Sequence, residues 1–315
     1  MGFEFLMAGL GLIILLLAGD VLVRGAVNLS LRLGIPALIV SLTVVAFGTS
    51  APELLIAISA IYEGVPGLAL GNVVGSNTAN ILLVLGIPAL MSGLHTSGCD
   101  VKKSYVLMIG ASALFIGLAL LGSFTWWQAL ILLTVLIVIL VQQGMEARSH
   151  MANSADAVDD LEEADLDMPW WKIILFLVLG LVGLPLGAEL LVQSATEIAA
   201  DFGVSDSIIG LTLVAVGTSL PELATTVMAA LRRQAEVALG NVIGSNMFNL
   251  LGIIGVAGLV GPIPVDPEFL KFDLWVMLAA SLVIAPFVFL SWNMGRLVGL
   301  ALSALYVTYI VALLV

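Results

Sequence analysis

The chain has 315 residues, of which 61% are hydrophobic and only 10% charged, and its mean hydropathy is +1.19. That composition excludes a water-soluble domain, and the continuous apolar runs exclude a β-barrel, whose strands alternate. The net charge of −12 is concentrated: Glu146, Asp156, Asp159, Asp160, Glu162, Glu163, Asp165 and Asp167, against Arg148, give one short segment −7.

Ten membrane spans are predicted, at 3–31, 35–62, 67–92, 104–121, 125–143, 171–200, 207–231, 236–261, 270–291 and 296–315. The first has an equivalent in the second half of the chain, so it is read as part of the fold and not as a cleaved signal peptide. The fold class is an all-α polytopic membrane protein. Residues 1–143 form a first five-helix repeat, 144–170 an acidic linker, and 171–315 a second five-helix repeat. The linker reads as a solvated connector, and it lacks the Asp-x-Asp-x-Asp-Gly spacing of an EF-hand loop.

The halves align without a gap over their first three spans. Glu222 lies 169 residues after Glu53, and the same offset relates Thr218 to Thr49, Ser245 to Ser76, Asn249 to Asn80 and Glu189 to Asp20. About half of positions 41–86 are identical to their partners, and the matches include Gly, Thr, Ser, Pro, Glu and Asn. An odd number of spans per repeat inverts the second half relative to the first. The basic residues agree with this topology. Arg24, Arg32, Lys102, Lys103, Arg148, Lys172, Arg232, Arg233 and Arg296 fall on one side and only Lys271 on the other, which places the linker in the cytoplasm and both termini outside.

Inside the second span stands Gly48-Thr49-Ser50-Ala51-Pro52-Glu53, and inside the seventh Gly217-Thr218-Ser219-Leu220-Pro221-Glu222. A carboxylate at membrane depth is costly and marks a functional site. Thr49, Ser50 and Glu53 share a helical face. Pro52 offers no N–H to the Gly48 carbonyl, so the helix should break and leave carbonyls around Ala46, and likewise Ala215, turned toward a cation. The third and eighth spans carry Gly71-Asn72-Val73-Val74-Gly75-Ser76-Asn77-Thr78-Ala79-Asn80 and Gly240-Asn241-Val242-Ile243-Gly244-Ser245-Asn246-Met247-Phe248-Asn249. Taken singly, such runs are equally well explained by helix packing and by hydroxyls bonded to their own backbone. Asp20 pairs with Arg24 at i,i+4, and Asp20 and Glu189 read as structural or interfacial.

The converging donors are all hard oxygens, which suit Ca²⁺ or Na⁺ and argue against zinc, copper and iron. His95 and His150 lie outside the apolar cores, and the single Cys99 allows no internal disulfide. Two glutamates balance one Ca²⁺ or two Na⁺, the physical basis for exchange at one pocket. Three alternatives stay open: a proton-coupled cation exchanger, a channel, and, least supported, an intramembrane enzyme, for which no nucleophile–base pair is present.

These motifs resemble the alpha-repeats of the cation/calcium antiporter superfamily, closest to its sodium/calcium exchanger branch in prokaryotic form. The proton-coupled branch has Gly-Asn-Ala-x-Glu in its first repeat, where this chain has Gly71-Asn72-Val73-Val74-Gly75. The resemblance implies a diamond of cation subsites at the bilayer centre. Glu53 and Glu222 would bridge them and hold Ca²⁺ with Thr49 and Thr218. Ser50, Ser76, Ser219 and Ser245, with the carbonyls of Ala46 and Ala215, would hold Na⁺. Asn80 and Asn249 would line the middle subsite. Some relatives have Asp where Asn249 stands, and the Asn argues against potassium dependence. The first and sixth helices would slide as the gate. No cofactor is expected beyond the transported ions, no nucleic-acid partner, and the expected unit is a monomer in the lipid bilayer of the cell membrane.

Overall fold

The computed structural model describes residues 2–153, 168–202 and 215–314. Residues 154–167 of the acidic linker and 203–214, which include the start of the seventh predicted span, lie outside the described residues. The chain forms α1 (Gly2–Leu33), α2 (Ala37–Thr49), α3 (Ala51–Tyr62), α4 (Pro66–Ser92), α5 (Lys102–Ala119) and α6 (Trp126–Asn153). After the linker come α7 (Trp170–Asp201), α8 (Ala215–Gly217), α9 (Leu220–Leu231), α10 (Ala235–Val260), α11 (Phe269–Phe289) and α12 (Arg296–Leu314). Among the described residues, eight of these helices are long and apolar enough to cross a membrane, and the bent pair α2–α3 makes a ninth. The remaining expected span, the seventh, is described only over α8 and α9.

The inverted repeat is visible in how the halves touch. A methyl group on Gly11 of α1 would lie 2.7 Å from the Leu191 nitrogen and 2.9 Å from the Gly187 carbonyl. A methyl on Gly180 of α7 would lie 2.9 Å from Leu22 Cα and 3.0 Å from the Ala18 carbonyl. These are the same contacts displaced by 169 residues, so α1 and α7 cross on a pseudo-twofold axis. Only small residues let two backbones approach so closely in lipid. Two backbone clasps repeat the inversion. Leu94 and Met294 join the α4–α5 and α11–α12 loops on the basic face. On the opposite face, strand β1 (Ser123–Phe124) pairs antiparallel with β2 (Ile263–Pro264).

The core lies in α2, α3, α4, α9 and α10, where Leu42, Val73, Val74, Ile81, Val242, Ile243 and Leu250 are buried. Its helices are irregular in matched places. π-helical turns at Asn80–Val84 of α4 and Phe248–Ile253 of α10 are related by the repeat. Such turns loosen the backbone ladder and recur at functional sites. Gly244 seats α10 against α2: its missing Cβ would lie 2.6 Å from both the Leu42 carbonyl and Ala46 Cβ. Gly244→Ala must therefore push two core helices apart. It is expected to cost about 1–3 kcal/mol, read as a lower melting temperature of the purified protein. An unchanged melting temperature would contradict this packing.

Candidate ion-binding site

Ser50-Ala51-Pro52-Glu53 and Ser219-Leu220-Pro221-Glu222 are helix-start sequences placed in the middle of membrane spans. Proline is tolerated in a first helical turn, and a carboxylate there meets the positive end of the helix dipole. Accordingly α3 starts after Ser50 and α9 after Ser219, with φ near −87° and −89° at the two serines. The axes of α2 and α3 differ by 42°. The breaks expected from the prolines are present, and each delivers its glutamate on the first turn of a new helix.

Glu53 and Glu222 are fully buried. Serine partnership differs from helical-face arithmetic. Ser50 Oγ donates to Glu222 Oε1 at 3.1 Å, so it serves the glutamate of the other half and not Glu53 three residues on. Ser245 Oγ lies 3.5 Å from the same carboxylate oxygen. Thr49 Oγ1 donates to Asn241 Oδ1 at 3.2 Å and sits 3.4 Å from Ser245 Oγ. The reason is the bend: Thr49 closes α2 and Glu53 opens α3, so they no longer belong to one helix.

Other predicted groups gather around this network with oxygens that have no hydrogen-bond partner among the described residues. They are both oxygens of Glu53, Oε2 of Glu222, Ser76 Oγ, Ser219 Oγ, and Oδ1 of Asn80 and Asn249. A buried polar atom without a partner costs about 1–3 kcal/mol, so this concentration of acceptors fits a site whose missing partner is a cation. Asn80 is held by its nitrogen, which donates to Asn246 Oδ1 at 3.0 Å and leaves its oxygen to the site. Thr218 is half-buried and lines a cavity beside the site.

The two carbonyls fare differently. Ala46 O is not left without a donor, because it accepts the Ser50 N–H at 3.1 Å, with Thr49 Oγ1 3.3 Å away. The break lets the chain form this short turn before α3 begins. Ala215 stands at the start of α8, next to residues outside the described set. Reasoning from sequence passed over Asn241, Asn246, Asn77 and Thr226. Asn77 and Asn246 donate to each other's backbone carbonyls at 3.2 and 3.4 Å, a reciprocal pair across the pseudo-twofold axis. Their 169-residue offset was the available signal.

A cavity adjoins the site on one side. It has a volume of about 490 Å³ and lies between α3 and α7, lined by Pro52, Leu55, Pro185, Glu189, Thr218 and Pro221. It occupies the half of the fold away from the basic loops. On the basic face the equivalent space is closed. A methyl on Gly19 of α1 would lie 3.0 Å from the Ala224 carbonyl of α9, and Asp20 is bonded to Arg232. The repeat partners of Gly19 and Ala224, Ala188 and Leu55, both line the cavity.

Residues 3–145 and 172–315 match the sodium/calcium exchanger protein family. The chain belongs to that family. The exchanger family is one of transporters, and the match covers both halves of the chain. The sodium/calcium exchanger MaX1 of Methanosarcina acetivorans is 33% identical, over 98% of each chain. The inner membrane protein YrbG of Escherichia coli is 32% identical, over 96% of this chain and 94% of its own. The sodium-calcium exchanger NCX_Mj superimposes with a TM-score of 0.82 at 32% identity, over 98% of each chain.

Proposed function

We propose that this exchanger moves Ca²⁺ against Na⁺ by alternating access, with Ca²⁺ normally carried outward. The observation that carries the reading is the pairing across the repeat: Ser50 of one half holds Glu222 of the other, beside unpartnered oxygens contributed by both halves. Two carboxylates set the charge capacity, and neutral hydroxyl and amide oxygens complete the coordination. Such a site accepts one Ca²⁺ or two Na⁺ and releases either, because it is not a dense carboxylate cage.

Ligation is assigned to Glu53, Glu222, Thr49, Thr218, Ser50, Ser219, Ser76, Ser245, Asn80 and Asn249, with the carbonyls of Ala46 and Ala215. One chain supplies both glutamates, so a monomer suffices. The basic face, with nine of the ten Lys and Arg residues, is the cytoplasmic one. Both termini are then outside, and 144–170 connects the repeats 1–143 and 171–315 in the cytoplasm. In that orientation the cavity opens outward and the structure is the outward-facing form. If each cycle moves one net charge, the membrane potential contributes about 2.3 kcal/mol per 100 mV.

The test is Ca²⁺ uptake into proteoliposomes driven by an outward Na⁺ gradient, with a pH gradient alone as the parallel arm. Uptake that requires Na⁺ is expected. Uptake driven by the pH gradient alone would replace the reading with proton-coupled exchange.

A further inference from the structure

We propose that Asn241, held by Thr226, is a positioning residue that sets the hydroxyl of Thr49 for cation binding, and that this clamp exists in only one half of the exchanger. Asn241 is fully buried, and both the nitrogen and the oxygen of its amide have partners. Its Nδ2 donates to Thr226 Oγ1 at 3.2 Å and to the Glu222 carbonyl at 3.4 Å, and its Oδ1 accepts the Thr49 hydroxyl at 3.2 Å. The orientation of the amide follows from chemistry. A backbone carbonyl only accepts, so the nitrogen faces Glu222 and Thr226, and the oxygen must face Thr49.

A hydroxyl binds a cation through its lone pairs, with its hydrogen turned away. Thr49 Oγ1 has two acceptors in reach, Asn241 Oδ1 at 3.2 Å and the Ala46 carbonyl at 3.3 Å, and the clamp gives its single hydrogen to Asn241. With its own proton committed, Thr49 presents only lone pairs to its other neighbours. Ser245, 3.4 Å away, is left to direct its proton to Glu222. One amide therefore fixes the direction of two hydroxyls and ties α10 to both α2 and α9.

The first half lacks the clamp. Asn72 is the repeat partner of Asn241, but the partner of Thr226 is Ala57, which has no oxygen. Asn72 Nδ2 is accordingly buried without a partner among the described residues. The two halves thus carry the same asparagine in different states, its nitrogen held in the second half and without a partner among the described residues in the first.

The inference rests on the exchange reading, and direct binding separates the two. Ca²⁺ binding to the purified full chain is measured by calorimetry for the wild type, Thr226→Val, which keeps the shape and loses the oxygen, and Thr226→Ser, which keeps the oxygen. A neutral hydrogen bond is worth roughly a factor of five in an equilibrium constant. Thr226→Val is therefore expected to weaken Ca²⁺ binding by about that factor, and Thr226→Ser to bind as the wild type does. Ala57→Ser, which offers Asn72 an acceptor, is expected to strengthen binding. Equal affinities for Thr226→Val and Thr226→Ser would overturn the clamp, as would weakening in both with parallel losses in melting temperature. A wild type that binds Ca²⁺ but fails the Na⁺-gradient test would remove the exchange reading and leave this comparison intact.

Discussion

Glu53→Gln and Glu222→Gln are each expected to abolish Na⁺-dependent Ca²⁺ uptake in proteoliposomes. The amide is nearly the same size as the carboxylate, so the fold has no reason to change, and only charge is lost. Both side chains are fully buried in the membrane core, where water cannot make up the difference. With two carboxylates a bound Ca²⁺ is neutralised, and with one it carries an uncompensated charge. An effective penalty of about 4 kcal/mol for that charge weakens binding close to a thousandfold. The two variants differ in what else they disturb. Glu222 has Ser50 and Ser245 as donors, and a glutamine oxygen can still accept from them. Among the described residues Glu53 has no side-chain donor, so its carboxylate relies on the cation more than Glu222 does. Glu53→Gln should consequently raise the melting temperature in the absence of ions, and Glu222→Gln should leave it nearly unchanged. Near-normal flux in either variant would sink the assignment of the site.

Much of this was legible in the sequence because the repeat is written in polar residues. The 169-residue offset ties Pro to Pro and Glu to Glu, and a proline after a serine in an apolar span states where a helix must restart. The spans, the two breaks and the buried glutamates follow from such local rules. Partnership did not follow. Counting faces along one helix assigned Ser50 to Glu53, but the 42° bend separates the segments and hands Ser50 to Glu222. Asn241 and Thr226 were passed over for the same reason. Their contact depends on how α9 and α10 pack, and the reach to Thr49 on how closely Gly240 and Gly244 admit α2, neither of which spacing along the chain encodes. Asp20 shows both cases at once. Its i,i+4 pairing with Arg24 was readable and is present, at 3.1 Å. Its second partner, Arg232, stands 212 residues away.

That second partner makes Asp20 the key to a further prediction: Asp20→Asn should shift the exchanger away from the form seen here. Arg232 places Nε and Nη2 each 2.5 Å from Asp20 Oδ1, and Arg24 approaches Oδ2. The Asp20 side chain is only 16% exposed, so the pair is better shielded than a surface ion pair. It joins α1 to the end of α9 on the closed, basic face. The repeat partners of Asp20, Arg24 and Arg232 are Glu189, Gln193 and Glu63. Gln193 still donates to Glu189, at 3.2 Å. The third position is inverted in charge, because Glu63 stands where an arginine would be needed. Closing α7 onto α3 as α1 is now closed onto α9 would bring Glu189 toward Glu63, two like charges. The observed form gains an ion pair, and the opposite form gains a repulsion. Removing the pair should change the ratio of the two forms by about tenfold, equivalent to about 1.4 kcal/mol. A cysteine at Ile56 on the cavity wall, in a Cys99→Ser background, reports the open form through its labelling rate with a membrane-impermeant maleimide. Asp20→Asn should slow that labelling, and Glu63→Arg, which gives Glu189 a cationic partner, should slow it too. The charge-swapped pair Asp20→Arg with Arg232→Asp should recover part of the wild-type rate. Identical labelling in all four proteins would mean that packing along α1 and α7, and not this ion pair, sets the balance.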